Sequence, residues 1–147
     1  MTLKNLLGIS LDAVAPDPAL IAKLLAAARR NIVDAQLPNL SAENRFDAAY
    51  KAVMQLAMVA LNANGYRTLT SKPGHHQTAI QTLSTSVGLA PAKVIVLDAL
   101  RKQRNLSDYS GDLVPEAVAA DCLSSALALQ AHLQEWLKVN QPGLLSP

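Results

Sequence analysis

The segment from Phe46 to Ala63 is apolar around most of the circumference that a helix would present, with alanine at 48, 49, 52, 57, 60 and 63. A helix of that kind belongs at the centre of other helices, and its alanines let neighbours approach closely. The rest of the chain fits such an arrangement. Half of its 147 residues are hydrophobic, yet one Phe, three Tyr and one Trp are the only aromatic residues. Alanine and leucine dominate, which is the composition of packed helices rather than of sheets. A chain of this length suits one domain and buries roughly two-thirds of its unfolded surface. The expectation is a single all-α domain over residues 1–147, with a core at about 17–140 and short tails at both ends.

Helix signals divide the chain further. Asp17-Pro18 opens a first helix, whose buried side reads Leu20, Leu24, Ala27, Ala28 and Val33 and which Pro38 ends by about Gln36. Ser41 caps the central helix and Asn64-Gly65 closes it. A third, shorter helix runs from about His75 to Val87, where Gly88 stops it, and a fourth from about Pro91 to near Tyr109. Pro115 opens the fifth, with Val118, Cys122, Ala126, Leu129, Leu133 and Trp136 at helical spacing, and Pro142-Gly143 ends it before a frayed terminus. No segment alternates like a strand. The pattern predicts an antiparallel helical bundle of four long helices plus a short one.

Charge and cysteine content narrow the function classes. A formal net charge of +2 with intermixed signs neither demands nor excludes nucleic acid, so any basic patch has to be local. Cys122, the sole cysteine, excludes an internal disulfide, supplies no metal-ligand spacing, and reads as a buried small hydrophobe. Met1 to Ile9 lacks the features of a signal peptide, and the nearly uncharged run Ala52 to Ala63 is too short for a membrane span. A cytoplasmic protein without membrane association is expected.

The fourth helix carries the candidate chemistry. In Arg101-Lys-Gln-Arg-Asn-Leu-Ser-Asp-Tyr109, Arg104 continues the stripe of Leu97 and Leu100, where a helix would bury leucine. A charge there needs a partner. Asp108 offers a local i,i+4 pair worth a few tenths of a kcal/mol; a binding site is the alternative. Tyr50, if buried, needs a partner for its hydroxyl, and the Arg104 region is a reasonable one. His76 lies on the stripe of Ile80 and Leu83, so it reads as a hydrogen-bonded histidine at the bundle end rather than a metal ligand, and no metal site is expected. Asp47 and Lys51 form an i,i+4 pair by spacing, Arg29-Arg30 is either a nucleic-acid patch or a solvated face, and His132 is expected to be exposed. No Gly-rich phosphate loop or HExxH sequence is present.

Four stretches together resemble the HEPN superfamily of small helical-bundle domains: Arg45-Phe-Asp-Ala-Ala-Tyr-Lys-Ala, Asn64-Gly-Tyr-Arg67, Gly74-His75-His76, and Arg101-x-x-Arg104-Asn105. The likeness covers roughly Asp17 to Leu137. Many HEPN proteins are metal-independent ribonucleases with an arginine, a variable polar residue and a histidine in an Arg-x4–6-His motif. The resemblance implies Arg104 as phosphate-binding cation, Asn105 as orienting group, and Tyr109 at the histidine position. Tyrosine titrates near 10 and histidine near 6.5, so Tyr109 is a poor base at neutral pH. An ideal helix also puts Tyr109 about 140° from Arg104, so one cleft would require a distorted helix end or a second subunit.

The function expected is RNA or nucleotide binding in a toxin–antitoxin or defence setting, either as a binding domain or as a degenerate metal-independent ribonuclease, with Arg101, Lys102, Tyr50 and His76 joining the binding surface and no cofactor. The partners implied are a second copy of the chain and, by family analogy, a nucleotidyltransferase-type antitoxin. The opposing class is a non-catalytic interaction or dimerisation module, in which Arg104 merely pairs with Asp108.

Overall fold

A computed structural model describes residues 2–145 as an all-α fold built on six helices. These are α1 (Pro18–Asp34), α2 (Ala42–Ala63), α3 (His75–Gln81), α4 (Leu83–Val87), α5 (Pro91–Ser110) and α6 (Glu116–Asn140). Helix α2 is the centre. Thirteen of its side chains are buried, from Phe46 to Ala63, and its most extensive packing is against α1 and α6. Ala49, Ala52, Ala57 and Ala60 are fully inaccessible, so the flanking helices close directly onto the α2 backbone. Asp47 and Lys51, with parts of Ala48, Gln55 and Met58, leave α2 facing solvent along its middle.

The helix ends follow their local chemistry. The Asp17 carboxylate accepts from the Ala19 and Leu20 amides, and Ser41 Oγ accepts from the Asn44 amide. At the other end of α2, Asn64 Nδ2 donates to the Ala60 carbonyl and, at 3.0 Å, to that of Ser86, which ties α2 to α4. The Arg45 guanidinium reaches both carboxylate oxygens of Glu116, at 2.7 and 2.8 Å, joining the starts of α2 and α6.

Several expectations need correction. The chain does form strands: β1 (Leu11–Ala13) and β2 (Tyr66–Thr68) pair antiparallel, Asp12 opposite Arg67, with their side chains in an ion pair at 2.9 Å. Three residues are too few for alternation to show. The N-terminal tail belongs to the core, since Leu3 and Leu11 are buried, and at the other end Leu144 and Leu145 pack against it rather than fray. The predicted third helix is two, because the Thr82 hydroxyl donates to the Thr78 and Ala79 carbonyls at the break.

On α1 the buried stripe is Ile21, Ala28 and Ile32, while Leu20 and Val33 stand 40% and 56% exposed. The stripe through Leu20 and Leu24 runs into Asn31; that through Ile21 stays apolar to Ala35. His132 is half-buried, its Nε2 donating to the Val87 carbonyl at 2.7 Å. No Asp47–Lys51 ion pair forms among the described residues. Among those residues, too, no helix is long and apolar enough to cross a membrane.

Close approach at the alanines sets the tolerance of the core. Ala57→Leu should lower stability by about 1–3 kcal/mol through overpacking. Urea denaturation should show an earlier midpoint with an unchanged slope.

Candidate functional site

Arg104 is set by helix geometry one turn beyond Leu100 on the buried side of α5, at the edge of the core. Its side chain is 35% exposed. The guanidinium carbon lies 5.2 Å from the centroid of the Tyr50 ring, which is itself buried on α2. Asp108, one turn further on, sits 3.6 Å from Arg104 Nε. A long, half-exposed i,i+4 pair is worth a few tenths of a kcal/mol, whereas a partly desolvated cation–π contact reaches about 1–2 kcal/mol. The aromatic ring, not the carboxylate, is what holds this arginine.

His76 completes the group from a third element. Gly74 adopts a left-handed φ of 83° at the start of α3, which turns the chain so that His75 and His76 begin the helix with rings edge to face, 4.7 Å apart. His76 Nδ1 lies 3.4 Å from Arg104 Nη1 and 3.2 Å from the Tyr50 hydroxyl. Arginine only donates, so Nδ1 is the acceptor in both contacts. The imidazole is then neutral with its hydrogen on Nε2, and Tyr50 donates its own proton.

The electrostatic surroundings favour the same protonation state. Burial first, then the charges of His75, Arg104 and Arg101, hold His76 below its usual 6.5. Burial likewise pushes the Tyr50 hydroxyl up to about 12, against the opposing pull of Arg104 and Arg101. Asp47 is raised, by burial and then by the neighbouring Asp108, with Arg104 acting in the opposite direction.

Together Tyr50, His76, Arg104, Asp47, Asp108 and Lys51 border a cleft of about 440 Å³, with Met54, Gln55 and Met58 along α2 as its floor. Arg104 keeps most of its five N–H donors uncommitted, and the cleft offers carboxylates on one side and thioethers beneath. Such a set can receive an anion at the guanidinium and an apolar or hydroxyl-bearing group beside it. Among the described residues, no group of three or more His, Cys, Asp or Glu is arranged to hold a metal ion.

The residues predicted from sequence divide between two faces. Arg104, Tyr50 and His76 meet in the cleft. Arg101 flanks it but is committed to Asp98 at 2.8 Å, a bond that draws the Asp98 carboxyl down. Lys102, Asn105 and Tyr109 line a different surface of α5 together with Leu106, and Tyr109 is 91% exposed. Helix α5 runs unbroken to Ser110, so no distortion of its end brings Tyr109 back to Arg104. Lys51, Met54, Gln55 and Met58 were not anticipated as site residues. For Lys51 and Gln55 the signal was the narrow gap in the otherwise apolar circumference of α2; the two methionines carried none.

No family model, curated protein or solved structure matches this chain. The resemblance to HEPN domains therefore rests on the chain's own residues.

Because His76 binds its proton more weakly in the folded chain than in the unfolded one, its contribution favours the fold above the unfolded value of 6.5 and is lost as pH falls through the lower folded one. Thermal melts between pH 7.5 and 5 should show a wild-type decline that His76→Gln flattens. Identical pH profiles would contradict the assignment.

Proposed function

We propose that the Arg104 cleft binds the phosphate of RNA or of a nucleotide, and that the protein is a binding relative of HEPN ribonucleases acting in a toxin–antitoxin or defence setting. The observation that supports this best is the state of Arg104. It is oriented by Tyr50 and His76, only loosely paired with Asp108, and open to a cleft large enough for a phosphate and sugar. Preorganised guanidinium donors of this kind suit phosphate oxygens. Asp47 and Asp108 accept hydrogen bonds only, which suits sugar hydroxyls or base N–H groups beside the phosphate. Binding is favoured over cleavage because the His76 nitrogen that would take up a proton already accepts from Arg104 and Tyr50.

Arg104→Ala should weaken binding of a 5′-phosphorylated RNA about 10- to 100-fold, the worth of a charge-assisted hydrogen bond, while the melting temperature falls by only a few degrees. Tyr109→Ala, on the other face of α5, should bind as the wild type does. Cellular RNA incubated with the wild type in EDTA should remain intact. Arg104-dependent cleavage under those conditions would instead make His76 the base that Tyr109 cannot be.

A second reading, the non-catalytic interaction or dimerisation module, draws on the outer side of α5. Ile95 is 69% exposed, Leu106 64% and Leu113, just beyond the helix, 81%. Apolar side chains so placed suit pairing with a second copy. Light scattering of the wild type and of Ile95→Glu/Leu106→Glu distinguishes a dimer broken by charge from a monomer unaffected by it.

A further inference from the structure

The Arg104 cleft does not end at α2. It shares Lys51 and Gln55 with a second depression, of about 490 Å³, on the far side of that helix, where α1 supplies Arg29, Arg30 and Asp34. Asn31 Nδ2 donates to Gln55 Oε1 at 2.9 Å across the junction, which locks α1 to α2 and holds the two depressions in one register. Lys51 and Gln55, on the solvent-facing side of α2, form their shared border.

The charges along this path suit a repeating polyanion. Lys51, Arg29 and Arg30 form no ion pair among the described residues, so three cations lie free beyond Arg104. Asp47 and Asp34 are interspersed with them, as acceptors for hydroxyls between phosphates would be. A mononucleotide held at Arg104 would leave Arg30 and the α1 side of the groove untouched.

We infer that Lys51 and Arg30 form a second phosphate subsite, and that the groove from α5 across α2 to α1 takes an extended single-stranded nucleic acid rather than a free nucleotide. This rests on the reading of the Arg104 cleft as a phosphate site. Met54 and Met58 give a base an apolar surface within the Arg104 cleft.

The test titrates the full chain with fluorescein-labelled octauridylate and competes it with uridine monophosphate and with unlabelled oligouridylates of two, four and eight residues. Direct calorimetry with uridine monophosphate runs alongside. Affinity should climb from the monophosphate through the dimer to the tetramer. Arg30→Gln, with a melting curve like that of the wild type, should shrink the gain from monophosphate to tetramer and lower the slope of log affinity against log salt by about 0.7. Monophosphate competing as well as the octamer, or Arg30→Gln keeping the full gain, overturns the groove. If monophosphate binds and the octamer does not, the groove fails while the Arg104 site stands. If neither binds, both fall.

Discussion

Burial of α2 is the constraint on which the remaining structure depends. Its alanines remove the side-chain bulk that would hold α1 and α6 away, so those helices close onto its backbone and enclose Phe46, Val53, Leu56, Val59 and Leu61. Dispersion and apolar burial both grow as that gap narrows. A helix enclosed on two sides keeps one exit to solvent. In this protein the exit is the strip carrying Asp47, Lys51, Gln55 and Met58, and the candidate site is built on it.

Arg104 shows how a charge is tolerated beside such a core. The neighbouring carboxylate is too distant and too exposed to compensate for desolvation, whereas the Tyr50 face offers an attraction that strengthens as water is excluded. The arrangement is reciprocal. Tyr50 needs a partner for its buried hydroxyl and finds it in His76, which in turn accepts from Arg104. Three residues from three helices thus satisfy one another and still present guanidinium donors outward. One cluster meets the structural need of all three groups and leaves donors free, so the Asp108 ion pair and a binding site are not competing accounts.

The legibility of this protein varies with the range of the interaction. The caps at Asp17 and Ser41, the stop at Gly88 and the α6 stripe were readable because each depends on residues within a turn or two. The break at Thr82 was missed because a hydroxyl bonding back to its own helix leaves no mark on the apolar pattern. The strand pair was missed because its signal lies in a partner more than fifty residues away, Arg67 against Asp12. Arg104 was visible as a misplaced charge, and Tyr50 and His76 as groups in want of partners. Tyr109 was drawn in by motif spacing, which measures separation along the chain and not direction around the helix.

By itself the sequence determined the helical class, the central place of α2 and the presence of an unusual arginine on the buried side of α5, since periodicity and composition act locally and are fully written in the chain. Tertiary packing alone decided that the partner of Arg104 is a histidine twenty-eight residues earlier rather than a tyrosine five residues later. Helix α5 stays regular, so its own geometry turns Tyr109 away, and the contact of α3 with α5 brings His76 in. The same packing placed Arg30 and Lys51 on one groove. Charges on separate helices come to line one depression only when those helices are set side by side.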